Sequence, residues 1–188
     1  MASALTSNVL FESWPAPEGL ALAKFSLCRV VMIIQNSEGG TIVGLSSKTR
    51  LRVRYSETDQ MGIVYHANYL VWFEVGRSEL FRELDLPYTQ FEEQGLGLAV
   101  IEASCRYRKP SRYDDELVII TGLDHMSSRS ARFYYHVYRE ETLLAEGKTV
   151  HVFINTEGRL ADVRQYAIWT RLQTIIEKQK NVKHLSMG

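Results

Sequence analysis

The chain changes its hydrophobic period along its length, and each change marks an element. Leu51, Val53 and Tyr55 alternate with Arg52, Arg54 and Ser56, the two-residue repeat of a half-buried strand. A loop follows from Glu57 to Tyr65, with Gly62 in its middle. Tyr69, Trp72, Phe73, Leu80 and Leu84 then recur at helical spacing, so a helix is predicted over residues 67–84. Gly76 falls on the same stripe. Glycine weakens a helix interior, so its place there predicts close approach of the helix to a sheet. Pro87 bars simple continuation of the helix.

The second half reads as strands. Ala99, Ile101, Ala103, Cys105 and Tyr107 alternate with Glu102, Ser104 and Arg106. Residues 116–123 are mostly apolar, which predicts a strand covered on both faces. Phe133, Tyr135 and Val137 share one side of a strand over 131–139, and 143–154 is a further alternating run. Short connections at Ser127–Ser128 and Glu140–Glu141 predict antiparallel hairpins, and 155–158 predicts a turn. Ile168, Trp169, Leu172, Ile175 and Ile176 predict an amphipathic C-terminal helix. The order is strand, long helix, four strands, helix. This is an α+β pattern in which the sheet would wrap the helix.

Residues 1–47 do not share the pattern. They hold two of the four prolines, and residues 36–47 are rich in glycine and serine, which predicts a linker. The expected organisation is an N-terminal extension over 1–47, a single domain over 48–160, and a C-terminal amphipathic helix and tail over 161–188. A chain starting at Ser47 is expected to fold. Lys24 and Arg29 interrupt the apolar stretch 19–34, which is shorter than the roughly 20 residues of a membrane span. Neither a span nor a signal peptide is expected.

Composition narrows the function classes. Lys plus Arg equals Asp plus Glu at 22 each, so net charge gives no reason to expect nucleic acid as a partner. The two cysteines, Cys28 and Cys105, are far apart and fit a reducing cytoplasm. The five histidines are scattered and no zinc-like spacing occurs, so no metal is expected. A Gly-x-Ser-x-Gly elbow is also missing, which argues against an α/β-hydrolase.

The chemistry concentrates between Tyr55 and Tyr69, where a carboxylate (Asp59) and a glycine turn (Gly62) precede the helix start. The first amides of a helix lack intrahelical partners and attract negative charge. Such amides can hold a thioester oxygen as it becomes an oxyanion, with the carboxylate acting as nucleophile or base. Asp59, Gly62, Val64-Tyr65-His66 and Asn68-Tyr69, with Glu74 and Arg77 on the helix, resemble the 4-hydroxybenzoyl-CoA thioesterase family. The resemblance is to its acyl-CoA thioesterase branch associated with the Tol-Pal cluster, and it covers residues 48–160. It implies a hotdog fold: a five-stranded antiparallel sheet around a central helix, with protomers paired into a homodimer or homotetramer. It further implies hydrolysis of an acyl-CoA thioester without cofactor, Asp59 as catalytic carboxylate, and the His66 amide as carbonyl donor.

Each candidate also has a plainer reading. Asp59 could cap a turn. The His66 imidazole could line the pocket or pack. Tyr65 is a candidate pocket wall, and Asn68 a candidate helix cap. Glu74 and Arg77 are spaced to pair on the helix, whereas Tyr134, His136 and Tyr138 share a strand face suited to packing. Lys109, Arg112 and Arg129 are candidates for CoA phosphates or ordinary surface charge. The alternative functions are a hotdog dehydratase or hydratase and a non-catalytic acyl-thioester binding module. A crotonyl thioester separates the first, and ligand retained uncleaved marks the second. The acyl group and the choice between CoA and acyl carrier protein are not encoded in these motifs.

Overall fold

The computed structural model describes residues 31–35 and 41–185, with side chains from Leu45 to Glu177. Six strands run β1 (Val31–Gln35), β2 (Thr41–Arg52), β3 (Leu96–Tyr107), β4 (Glu116–Met126), β5 (Ser130–Arg139) and β6 (Thr142–Asn155). Every pairing is antiparallel. Five strands, in the order β2-β4-β5-β6-β3, form the expected sheet, and β1 adds to the outer edge of β2. The helices are α1 (Asn68–Glu83), the short α2 (Thr89–Glu92) and α3 (Trp169–Leu185).

Helix α1 lies across β2 and β4 and turns Tyr69, Trp72, Phe73, Leu80 and Phe81 into the core. Phe73 stacks on Tyr135 of β5, ring centres 4.3 Å apart. Gly76 has the role its place on the stripe predicts. A Cβ there would press on the Thr121 hydroxyl and lie 3.2 Å from the Ile119 side chain. The helix ends before Pro87, because Asp85 adopts φ +56°. Leu172 and Ile175 bury one face of α3, as their spacing predicts, and Ile168 is buried just before the helix starts.

Two expectations require correction. The predicted linker extends too far: Thr41–Ser47 form the first half of β2, and Leu45, Ser46 and Ser47 are buried. Leu45 is only 2% exposed, so starting the chain at Ser47 would remove a core residue together with half a strand. The strand register continues there because Ser46 and Ser47 pair with Gly122 and Thr121 of β4, which a glycine- and serine-rich composition does not reveal. Residues 1–30 and 36–40, with Cys28 and most of the stretch 19–34, lie outside the described residues.

The second correction concerns β3. Alternation placed Ile101 on the core face, yet it is 62% exposed. The pairing with β6 shifts between Val100 and Glu102, leaving Ile101 as the extra residue of a bulge. A bulge breaks the two-residue repeat, so the side that carries Leu96 and Leu98 into the core continues after it at Ala103 and Cys105, and Ile101 drops out of it.

Tyr134, His136 and Tyr138 contact one another edge-on or tilted along one face of β5, and Tyr134 packs on Ile120, in line with the packing reading. Among the described residues no helix is long and apolar enough to cross a membrane, and no cluster of His, Cys, Asp or Glu could hold a metal.

Candidate active site

Between β2 and α1 the chain makes a narrow hairpin. The Asp59 amide donates to the Ile63 carbonyl at 2.9 Å, Thr58 bridges Val64, and the Tyr65 amide donates to the Glu57 carbonyl at 2.9 Å. The Gly62 amide closes the tip on the Asp59 carbonyl at 2.9 Å, with Gly62 at φ +69°, which suits glycine. Buried Val64 anchors one side through its amide, which donates to the Ser111 carbonyl at 2.9 Å.

Asp59 is half-buried. Its Oδ1 accepts from the Met61 amide at 2.8 Å, and its Oδ2 has no hydrogen-bond partner among the described residues. The carboxylate therefore caps its own turn, as the plainer reading holds, through one oxygen and leaves the other without a partner among the described residues. About 7 Å of hairpin separates the Asp59–Ile63 pair from the Glu57–Tyr65 pair, and His66 comes next.

At His66 the chain enters α1. The His66 and Ala67 amides donate to no group among the described residues, as expected of a helix start. The exposed His66 imidazole makes no hydrogen bond there, and the exposed Tyr65 ring lies 4.3 Å from it. Asn68 corrects the capping expectation: Ala67 occupies the cap position. The Asn68 Nδ2 donates instead to the Glu57 carbonyl at 2.8 Å, tying the helix start to the hairpin.

The sequence reading missed Glu57, the buried carboxylate beneath the site. Its Oε2 accepts from the Arg54 amide at 2.8 Å, while Oε1 accepts from Arg54 Nη2 at 2.9 Å and the Trp72 indole at 3.2 Å. Burial works against its charge, yet the Arg54 amide and guanidinium and the Trp72 indole outweigh it, so the carboxyl lies below its ordinary value. Only Arg54 three residues earlier hinted at this in the sequence.

Of the basic candidates, Arg112 reaches the hairpin, its Nη1 donating to the Gly62 carbonyl at 3.3 Å. Lys109 is exposed in the same loop between β3 and β4. Arg129 lies at the opposite end of β4 and pairs with Asp162 at 3.4 Å.

The expected Glu74–Arg77 pair does not form. Arg77 Nη1 instead lies 3.5 Å from the Nε2 of His151, a buried residue of β6. That nitrogen also meets the Thr149 hydroxyl at 2.8 Å, which in turn meets the Tyr135 hydroxyl at 2.8 Å. Burial first, and then the Arg77 cation, depress the His151 pKa to about 4. On unfolding the ring recovers its ordinary value and binds a proton between the two. Its contribution to stability is therefore complete above about pH 6.5 and falls as pH drops towards 4, by about 3 kcal/mol across that range. Urea titrations of wild type and His151→Leu at pH 7.5 and 4.5 test this, with the variant expected to lose less stability on acidification.

The fold and this hairpin set the terms for comparison with known proteins. Residues 53–179 match the thioesterase-like superfamily. The chain belongs to that superfamily. The Bacillus subtilis protein YneP is 38% identical over 113 residues, 60% of this chain and 82% of that one. The acyl-CoA thioesterase YbgC of Haemophilus influenzae is 33% identical over 114 residues, 60% of this chain and 83% of that one. The crystal structure of DHNA-CoA thioesterase from Staphylococcus aureus superposes with a TM-score of 0.68 at 27% identity, covering 72% of this chain and 93% of that one. The hotdog architecture expected from the resemblance is the one observed.

Proposed function

We propose that this thioesterase hydrolyses an acyl-CoA to the free acid and CoA thiol, with Asp59 as its catalytic carboxylate. One observation carries the reading: a carboxylate with one oxygen unpartnered among the described residues lies on the hairpin that leads directly into the His66 and Ala67 amides at the start of α1, which are likewise unpartnered there. The thioester oxygen meets the His66 amide as it gains charge, and Asp59 either attacks the carbonyl carbon or takes a proton from attacking water. Gly62 and Tyr65 border the substrate, and Asn68 supports it indirectly by holding the Glu57 carbonyl. The motif from Asp59 to Tyr69 supports placement in the Tol-Pal-associated branch. A cytoplasmic setting rests on the cysteine content. Thiol release from a panel of short, long and aromatic acyl-CoAs tests the reading, and acyl carrier protein thioesters belong in the same panel. No release from any member would reject it.

The protein assembles at least as a homodimer in this reading. Among the described residues β3 pairs with β6 alone, which leaves its other edge unpaired there. Val100 and Ile101 on that strand, and Leu70, Val71 and Val75 on α1, are exposed apolar residues, with Val75 40% exposed. Pairing β3 with its copy would continue the sheet and cover the apolar side chains. Light scattering is expected to give at least the dimer mass for wild type and a lighter species for Val75→Asp with Ile101→Asp. An active wild-type monomer would overturn the assembly.

A further inference from the structure

Tyr107, the last residue of β3, lies beside the helix start although it is far away in sequence. Its hydroxyl donates to the His66 carbonyl at 2.9 Å. The Tyr69 amide also approaches that carbonyl, at a longer 3.4 Å, so the phenol makes the shorter of the two bonds. Two edge-on ring contacts hold the phenol: Tyr69 at 5.1 Å and His66 at 6.5 Å between ring centres. The Tyr69 hydroxyl is fixed in turn by the buried Ser111 hydroxyl at 2.8 Å.

The bond acts on a particular peptide. The His66 carbonyl and the Ala67 N–H belong to one planar unit, so holding the carbonyl sets the direction of that N–H. A hydrogen bond accepted by a carbonyl also strengthens the N–H of the same unit as a donor, because hydrogen bonds in a chain polarise one another. The Ala67 N–H donates to nothing among the described residues. It adjoins the His66 N–H, already assigned to the thioester oxygen. We propose that Tyr107 is a positioning residue for thioester hydrolysis: by holding the His66 carbonyl, its hydroxyl orients and polarises the His66–Ala67 peptide, so that the Ala67 N–H joins the His66 N–H in binding the developing oxyanion. The inference rests on the thioesterase reading of this site.

The chemistry of the phenol suits the task. Desolvation first, and then the Cys105 thiol, push its pKa up to about 12, so it remains an O–H donor across the working range of pH. Its ring is 46% exposed at the open edge of the sheet, where a second copy would pair. The site and the assembly surface thus share one strand.

Tyr107→Phe tests the proposal, because it removes the hydroxyl while keeping the ring contacts. Loss of one full oxyanion donor costs about 10²–10³-fold in rate, and a weakened donor is expected to cost about tenfold in kcat, with KM, Tm and assembly mass unchanged. Selective ¹⁵N-alanine labelling supplies a readout that does not depend on turnover. The Ala67 amide proton, assigned by its loss in Ala67→Gly, is expected to move upfield in Tyr107→Phe. A variant with wild-type kcat, or an unmoved Ala67 resonance, overturns the proposal. So does a fall in kcat that comes only with a matching fall in Tm. If Asp59→Asn keeps wild-type turnover, the site reading itself fails, and the Ala67 resonance still reports separately on the Tyr107 bond.

Discussion

Asp59→Asn is expected to lower kcat by about 10²–10⁴-fold, the usual worth of a positioned base or nucleophile, with little change in KM. The substitution is informative because of what it leaves in place. The Met61 amide donates to Asp59 Oδ1, and an asparagine oxygen can accept the same bond. The turn therefore survives, and any loss of rate reports the missing negative charge rather than a collapsed hairpin. Steady-state thiol release measures it. Turnover near wild type would leave Asp59 as a turn cap and nothing more. Single turnover in heavy-oxygen water then separates two routes. Label in the Asp59 carboxylate of the wild type marks an acyl-aspartate anhydride opened at the aspartyl carbonyl. Label in the product acid alone is compatible with either route, since water can also attack the acyl carbon of the anhydride.

Gly147→Ala is expected to destabilise the protein by about 3 kcal/mol, the upper end for overpacking a tight core. A Cβ at Gly147 of β6 would press into the Phe73 ring and lie 2.6 Å from the Ser104 carbonyl oxygen of β3. The ring has no free side to move towards, since it is buried and stacked on Tyr135 at 4.3 Å. The Ser104 oxygen belongs to backbone paired in the sheet, with Ser104 opposite Lys148. In a chain of this size the loss corresponds to a Tm lower by roughly 6–12 °C. Thermal and urea unfolding measure it, and a variant within about 0.5 kcal/mol of wild type would show that α1 shifts freely on the sheet.

The sequence by itself determined the elements whose burial is one-sided and regular. The stripe from Tyr69 to Leu80 fixed α1 because only one face of that helix meets the sheet. Gly76 signalled the close contact because a glycine within an apolar stripe needs a packing reason. The hairpin around Asp59 and Gly62 was legible as a motif, since a left-handed turn and a helix start leave local marks. What the tertiary structure alone decided depends on residues distant in the chain. Thr41–Ser47 became strand because β1 offered partners to Thr41–Leu45 and β4 to Ser46 and Ser47, despite a composition that suits a linker. Ile101 left the core because one extra residue entered the pairing with β6. Arg77 turned from Glu74 to His151, 74 residues away, because its long side chain reaches that residue of β6 once α1 packs on the sheet. Glu57 and Tyr107 joined the site for the same reason. A buried carboxylate needs the Trp72 indole and the Arg54 fork brought to it, and a phenol at the end of β3 meets the His66 carbonyl only once the sheet has curled around α1. Periodicity records which face of an element is buried, whereas the partner on that face is chosen by packing between elements that the local sequence does not encode.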